Sequence, residues 1–253
     1  KKSSILFSAV LLVGTSLHSC KSEEEEPVYR VIPKKVQVEG VDYFLPDVPL
    51  DNWKVTLPIG SPTEVEPPVI MSYATNSTLK PFMYNDSTDG SLVFYTYPGA
   101  TTTNTSYSRT ELREQMTPGS NSTNWTFADG GRMKGRLKID ELSVGDNGYD
   151  RTIVMQIHGR LTDDQKALIG AKDNNAPPIL KLSWVSGKIR VFTKVLKDTN
   201  MSDKEALETD SWDDAAESFK ESVNFDEFTL EVIVSDGRME VILNDNESMV
   251  FDD

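Results

Sequence analysis

The sequence has very few of the side chains that bind metals or form disulfides. Among its 253 residues there are one cysteine, Cys20, and two histidines, His18 and His158. A single cysteine excludes a disulfide within the chain, and so few thiols and imidazoles leave no cluster of the kind that holds zinc. We therefore expect no metal site.

Basic residues are also scarce. The chain has 26 Lys and Arg against 40 Asp and Glu, which gives a formal net charge of −14. A nucleic-acid-binding protein needs a basic stripe along its surface, and none is present, so we expect no nucleic-acid partner. The hydrophobic content of 38% is enough for the core of one large domain, and an acidic surface suits a secreted or cell-surface protein.

One apolar run stands near the start of the sequence. Residues 5–17 follow Lys1 and Lys2 and are too few for a membrane span, which needs about 20 residues. The run ends at Leu17-His18-Ser19-Cys20, which resembles the lipobox of a bacterial lipoprotein, where the cysteine is lipidated. The alternative is a plain signal peptide with an incidental cysteine.

These features predict the domain organisation. We expect a lipoprotein signal peptide over residues 1–19, an acidic flexible tether over 20–40, and a β-domain over 41–253. Four glutamates and a proline at residues 23–27 support the tether and resemble the export signal of surface lipoproteins. The expected location is the bacterial cell envelope, with a lipid anchor at Cys20 in the outer membrane and the domain exposed at the surface.

The rest of the chain reads as strands separated by turns. The pattern predicts strands over residues 92–97 and 131–142. It also predicts two hairpins, 179–185 with 189–195 and 228–234 with 239–243, whose turns are Ser186-Gly187 and Asp236-Gly237. Residues 202–223 are rich in Asp, Glu, Lys and Ala, and we expect one or two short helices there as a surface insertion. Many short antiparallel strands indicate an all-β sandwich or jelly roll.

Two strand-like segments place chemically useful side chains together. Because side chains alternate along a strand, Arg109, Glu111 and Arg113 share one face, and so do Gln156 and His158. If both faces line one cleft, they suit a substrate that carries carboxylates. The alternative for the first segment is a solvated face with cross-strand ion pairs.

Three segments, taken in order, resemble a known family. They are Asp51-Asn52-Trp53-Lys54-Val55-Thr56-Leu57-Pro58, Arg109-Thr110-Glu111-Leu112-Arg113 and Gln156-Ile157-His158. They are similar to the marker segments of the alginate lyases of polysaccharide lyase family 7. The resemblance extends from about residue 48 to 253. It implies a β-jelly roll with a concave, substrate-binding sheet, an anionic uronate polysaccharide (alginate) as the partner, and no cofactor.

The resemblance also implies a role for each cleft residue. Arg109 and Gln156 match the residues that neutralise the uronate carboxylate, and His158 matches the base that removes the C5 proton. Glu111 and Arg113 match residues that hold the sugar or support the arginine. By this resemblance the catalytic residues are Arg109, Gln156 and His158, and the substrate-binding residues are Glu111 and Arg113.

The family's general acid is a tyrosine on a last strand, and no tyrosine of this sequence matches it. We expect that strand to lie beyond Asp253, and we expect the chain as written to be nearly inactive. The alternative is a homologue that has lost its acid.

Two functions from different classes remain open. The first is an endolytic, monomeric alginate lyase that favours guluronate-containing blocks, a preference that the resemblance associates with Ile157. The second is a non-catalytic carbohydrate-binding lipoprotein on the same scaffold. A glycoside hydrolase would need a pair of carboxylic acids, whereas the face that carries Arg109 and Arg113 has only one, Glu111, so we discount this function.

Overall fold

The computed structural model describes residues 34–38, 41–45, 48–100, 107–121, 123–144 and 151–252, the first two ranges by their backbone alone. Almost all of its regular structure is β. The strands are β1 (Lys34–Val38), β2 (Val41–Leu45), β3 (Trp53–Leu57), β4 (Thr63–Val65), β5 (Met83–Asn85), β6 (Leu92–Phe94), β7 (Glu111–Glu114), β8 (Gly131–Leu137), β9 (Arg151–Arg160), β10 (Asn175–Val185), β11 (Lys188–Leu196), β12 (Trp212–Ser222), β13 (Phe228–Ser235), β14 (Arg238–Leu243) and β15 (Glu247–Asp252).

Helices are short and few in these ranges. The α-helices are α1 (Asp163–Ile169) and α2 (Asp203–Ala206), and 3₁₀ turns occur at Leu50–Asn52, Val69–Ser72, Phe127–Asp129 and Thr209–Ser211. No helix in the described ranges is long and apolar enough to cross a membrane.

Two four-stranded antiparallel sheets form the main sandwich. One has the strand order β12-β11-β10-β9, which we call the β9 sheet, and the other has the order β15-β14-β13-β8. A three-stranded sheet, β4-β3-β7, carries the first marker segments, and β1-β2 and β5-β6 form two-stranded ribbons. This antiparallel architecture confirms the predicted all-β sandwich.

The hydrophobic core lies between the two large sheets. Inward-facing residues of both sheets meet there, among them Leu182 and Trp184 from β10 and Leu230 and Val241 from the opposite sheet. The indole of Trp184 is 2% exposed and donates a 2.6 Å hydrogen bond to the carbonyl of Asn224, so its one polar group is satisfied. A second core packs under β3, around Val55, Leu57, Ile70, Leu79 and Met83.

Both predicted hairpins are present with the predicted turns. In the first, β10 and β11 pair through Ser186-Gly187, whose φ angles are +48° and +86°. Positive φ at both turn residues is the geometry that matches the twist of the flanking strands. The second joins β13 and β14, and a further hairpin to β15 turns at Asn244-Asp245, again with positive φ at both residues. The sequence reading missed this third hairpin.

The prediction for residues 202–223 was right about short helices and wrong about a surface insertion. Helix α2 (Asp203–Ala206) and the 3₁₀ turn Thr209–Ser211 lie there, but β12 occupies Trp212–Ser222 at the edge of the β9 sheet. The acidic composition suggested a solvated helix, but an edge strand is solvated too, and Asp214 pairs with Lys194 of β11 at 2.6 Å. Phe219 of β12 is fully buried, so this segment belongs to the sandwich and is not an insertion.

Other boundaries differ by a few residues. The strand predicted over residues 92–97 is regular only at Leu92–Phe94, and that over 131–142 ends at Leu137. Helix α1 was not predicted, although Thr162 and Gln165 form a capping box at its start. Strand β1 falls within the range assigned to the tether, and residues 1–33, with Cys20, lie outside the described residues.

Candidate active site

Strand β7 presents the first group of cleft residues. It pairs with β3 in a register that sets Lys54 opposite Arg113 and Thr56 opposite Glu111. Leu112 packs against the core under β3, so Glu111 and Arg113 point to the opposite side, as the alternation predicted. Arg109 lies just before the strand begins.

Glu111 links the second marker segment, on β7, to the third, on β9. One of its carboxylate oxygens accepts a hydrogen bond from the amide Nε2 of Gln156 on β9. The other lies 3.7 Å from a guanidinium nitrogen of Arg109, in a half-exposed ion pair. Because one carboxylate touches both groups, it holds the arginine and the amide on the same side of the cleft. The structure therefore brings together the side chains that the sequence placed on separate strands.

His158 lies on the same face of β9 as Gln156, since the intervening Ile157 packs against the core. Its Nδ1 is 3.0 Å from the carbonyl oxygen of Gly159. A carbonyl can only accept, so Nδ1 carries the proton and a neutral ring keeps its lone pair on Nε2. Burial lowers the pKa of His158, and the cations of Arg113 and Arg160 lower it further, against the effects of the Gly159 bond and of Glu111. These effects favour the neutral imidazole that a base requires.

Arg160 is a cleft residue that the sequence reading missed. It follows His158 by two positions on β9, and the same alternation that selected Gln156 and His158 could have found it. Its Nη1 donates a 2.8 Å hydrogen bond to the side-chain oxygen of Asn174. Burial lowers the pKa of Arg113, and the neighbouring Arg160 cation lowers it as well, so the two guanidiniums act on each other electrostatically.

The cleft therefore carries an excess of positive charge on an acidic protein. Arg109, Arg113 and Arg160 outnumber the two carboxylates beside them, Glu111 and Glu64, and in the described ranges no carboxylate lies within salt-bridge distance of Arg113 or Arg160. A local positive field in a concave surface attracts anions and raises their concentration there. The arrangement suits a polyanionic ligand.

An ion pair between a buried lysine of β3 and an exposed glutamate of β4 supports this surface. Lys54, within the first marker segment, is 1% exposed, and its Nζ lies 2.6 Å from Glu64 of β4. A charge this deep is stable only with such a partner. Glu64 also acts electrostatically on Arg113, in the direction that stabilises the arginine's charge. Because Lys54 pairs with Arg113, and Glu64 pairs with Thr56 opposite Glu111, both lie on the cleft side of this sheet, where their ion pair supports Arg113.

Two strand edges lie unpaired beside the site. Within the described part of the chain, β7 hydrogen-bonds only to β3, and β9 only to β10. The contact between Glu111 and Gln156 is made by side chains and not by a ladder of backbone hydrogen bonds. No group of three or more His, Cys, Asp or Glu side chains suited to a metal ion occurs in the described residues.

The chain is similar to known alginate lyases in sequence and structure. A sequence profile of the family described as "Alginate lyase" matches residues 48–252. Among curated proteins, none matches. One similar solved structure is alginate lyase A1-II', a member of polysaccharide lyase family 7. It is 28% identical, covers 80% of this chain and 77% of that one, and has a TM-score of 0.60.

Other solved structures extend the comparison. A variant of A1-II' in complex with substrate (GGMG), in which a histidine is replaced by asparagine and a tyrosine by phenylalanine, is 26% identical. It covers 81% of this chain and 76% of that one, with a TM-score of 0.61. The alginate lyase from Corynebacterium sp., at 21% identity, 80% and 76% coverage and a TM-score of 0.52, shares the fold. The profile match includes both sheets of the sandwich and all the cleft residues, and the chain belongs to the alginate lyases of polysaccharide lyase family 7.

Proposed function

We propose that this protein depolymerises alginate by β-elimination at C5 and O4 of a uronate, with the cleft residues of β7 and β9 carrying the reaction. Its family makes it an alginate-degrading lyase. The observation that best supports the assignment of residues is the position of Glu111, which contacts Arg109 and Gln156 together beside a histidine whose pKa burial lowers.

Arg109 and Gln156 are proposed to bind the carboxylate of the uronate that loses its proton. The C5 proton lies α to this carboxylate and is only weakly acidic while the carboxylate keeps its full charge. A cation and an amide donor aimed at the carboxylate stabilise the negative charge that builds up there in the transition state. Glu111 fixes both donors before the substrate arrives, so little reorganisation remains for the reaction itself.

His158 is proposed to take the C5 proton through Nε2. The electron pair of the C5–H bond forms the C4–C5 double bond, and the C4–O4 bond breaks with its electron pair on O4. An acid must then protonate O4, so that one sugar chain leaves with a hydroxyl and the other begins with an unsaturated uronate. The lowered pKa of His158 keeps it available as a base at neutral pH.

The acid is proposed to be a tyrosine, as the family resemblance implies. The unpaired edges of β7 and β9 would accept an antiparallel strand, and alternate side chains of such a strand would reach the cleft beside His158. A tyrosine presented there could protonate O4.

We further propose that the enzyme is monomeric, cuts within the polymer and favours guluronate-containing blocks. An open sheet surface, as opposed to a closed pocket, can accept a chain at any point along its length. The preference rests on the correlation with Ile157, which faces the core and so cannot select an epimer by touching the sugar.

We also propose that Cys20 carries lipids that anchor the protein in the outer membrane, with the lyase domain at the cell surface.

The test uses the complete gene product with poly-guluronate, alternating and poly-mannuronate blocks. The ultraviolet absorbance of the new double bond should rise fastest with guluronate-containing blocks, and His158→Ala should remove most of that activity. A folded protein that binds alginate and forms no unsaturated product would favour the carbohydrate-binding function. Faster cleavage of poly-mannuronate would refute the preference alone.

A further inference from the structure

Two side-chain hydroxyls flank Arg109 along the chain. They belong to Ser108 and Thr110, and both reach the backbone of the segment that follows β6. The Thr110 hydroxyl donates a hydrogen bond to the carbonyl of Tyr95, and the Ser108 hydroxyl donates one to the carbonyl of Tyr97. We call Ser108 and Thr110, with these hydrogen bonds, the hydroxyl clamp.

The hydroxyl clamp lies where the regular strands have ended. The ladder between β3 and β7 stops at the pairing of Thr56 with Glu111, and β6 stops at Phe94. The clamp therefore joins the chain before β7 to the chain after β6 through side chains, at a point that neither ladder covers. Ser108 strengthens this junction, because its hydroxyl oxygen also accepts a 3.0 Å hydrogen bond from the amide of Ala100.

The side chain of Arg109 is held only loosely by its own contacts. Its guanidinium lies 3.7 Å from Glu111, which is longer than a hydrogen bond, and the side chain is 39% exposed. Its Nε is buried and has no hydrogen-bond acceptor among the described residues. A long side chain without a short hydrogen bond of its own retains much rotamer freedom. The place of the guanidinium beside Glu111 therefore depends on how firmly the backbone of Arg109 is fixed.

We propose that Ser108 and Thr110 are positioning residues for Arg109. Their hydroxyls fix the backbone on both sides of the arginine, which keeps its guanidinium beside Glu111 and aimed at the carboxylate of the reacting uronate. Neither hydroxyl acts on the substrate, since both are bonded to backbone carbonyls. This inference rests on the proposed function, because the clamp matters for catalysis only where Arg109 binds that carboxylate.

Loss of the clamp is expected to lower kcat more than it raises KM. Arg109 acts mainly on the charge that builds up in the transition state, whereas the ground-state polymer is also bound by the rest of the cleft. Thr110→Val keeps the shape of the side chain and removes its hydroxyl. Because misplacing a catalytic group by about 1 Å costs up to about 100-fold in rate, we expect kcat to fall about tenfold to 100-fold and KM to change less than about twofold.

The experiment is a double-mutant cycle in the complete gene product, with initial rates of unsaturated product on poly-guluronate. Thr110→Val and Ser108→Ala are each made alone and together with Arg109→Ala. Thr110→Ser restores a hydroxyl and should recover most of the lost kcat. Thr75→Val is the matched control and should change neither kcat nor KM, since the Thr75 hydroxyl also donates to a backbone carbonyl, that of Ser72 at 3.2 Å, in a turn outside the cleft.

In the Arg109→Ala background, neither clamp variant should lower kcat by more than about twofold, because the group that the clamp positions is already gone. Full kcat in both single clamp variants, or equal losses with and without Arg109, would overturn the positioning role alone. So would a Thr110→Ser variant as slow as Thr110→Val, or a large fall in the thermal midpoint of both clamp variants, which would show a structural role. A preserved rate in Arg109→Ala itself would overturn the proposed role of Arg109 in the reaction.

Discussion

Replacing Arg160 with glutamine is expected to move the acidic limb of the pH–activity profile to higher pH. Burial is the main cause of the lowered pKa of His158, and the charges of Arg113 and Arg160 add to it. A base must be neutral, so kcat/KM falls as the pH drops through this pKa, which lies below the ordinary value of 6.5. Removing the Arg160 cation makes the charged form of His158 less unfavourable. The pKa of His158 therefore rises, and the acidic limb of the profile moves to higher pH.

The size of the shift follows from Coulomb's law. A unit charge about 6 Å away in a solvated cleft, with a dielectric constant of about 80, changes the energy of the imidazolium by about 0.7 kcal/mol. Since one pKa unit corresponds to about 1.4 kcal/mol, the limb should move by about half a unit. A drier cleft would give a larger shift of the same sign.

The assay records initial rates of unsaturated product on poly-guluronate, at substrate concentrations well below KM, across a series of buffers. Arg160→Lys keeps the charge and serves as the control, with its limb expected to stay near that of the unmodified enzyme. An unchanged limb in Arg160→Gln, or an equal shift in Arg160→Lys, would refute the electrostatic reasoning.

Three further predictions concern the proposed reaction and its location. Arg109→Ala and Gln156→Ala should each lower kcat by about two to three orders of magnitude, the usual loss for one donor to a developing oxyanion, as single-turnover rates would reveal. A preserved rate would remove that residue from the mechanism. Cys20→Ser should move the protein from the membrane fraction to the soluble fraction of cells, and unchanged partition would contradict lipidation. Ile157→Val should leave the thermal midpoint within a few degrees, because Ile→Val costs about 1 kcal/mol in a core, and a clear gain in activity on poly-mannuronate would support its role in selectivity.

Alternation along strands made much of the site predictable. Because side chains alternate between the two faces of a strand, the sequence alone assigned Arg109, Glu111 and Arg113 to one face. The same rule placed Ile157 in the core, on the face opposite Gln156. The contact between Glu111 and Gln156 could not be predicted from the period, because it depends on how the edges of two different sheets approach each other.

The misses have a common physical origin in tertiary pairing. The local composition of β12 is compatible with a solvated helix or with a solvated edge strand. The segment forms a strand because it pairs with β11, which places Asp214 beside Lys194. Arg160 was within reach of the alternation rule. Its significance, however, depends on Asn174 and Arg113, which come from other parts of the chain.

The central claim is that the cleft breaks alginate by elimination with His158 as a base. Mass spectrometry of the products from poly-guluronate tests it most directly, because elimination adds no water to the cleaved chain while hydrolysis adds one water per cut. For the complete gene product we predict oligomers whose masses lack that water and which absorb in the ultraviolet, formed far more slowly by His158→Ala. Products that carry the added water, or unsaturated products at an undiminished rate from His158→Ala, would contradict the account.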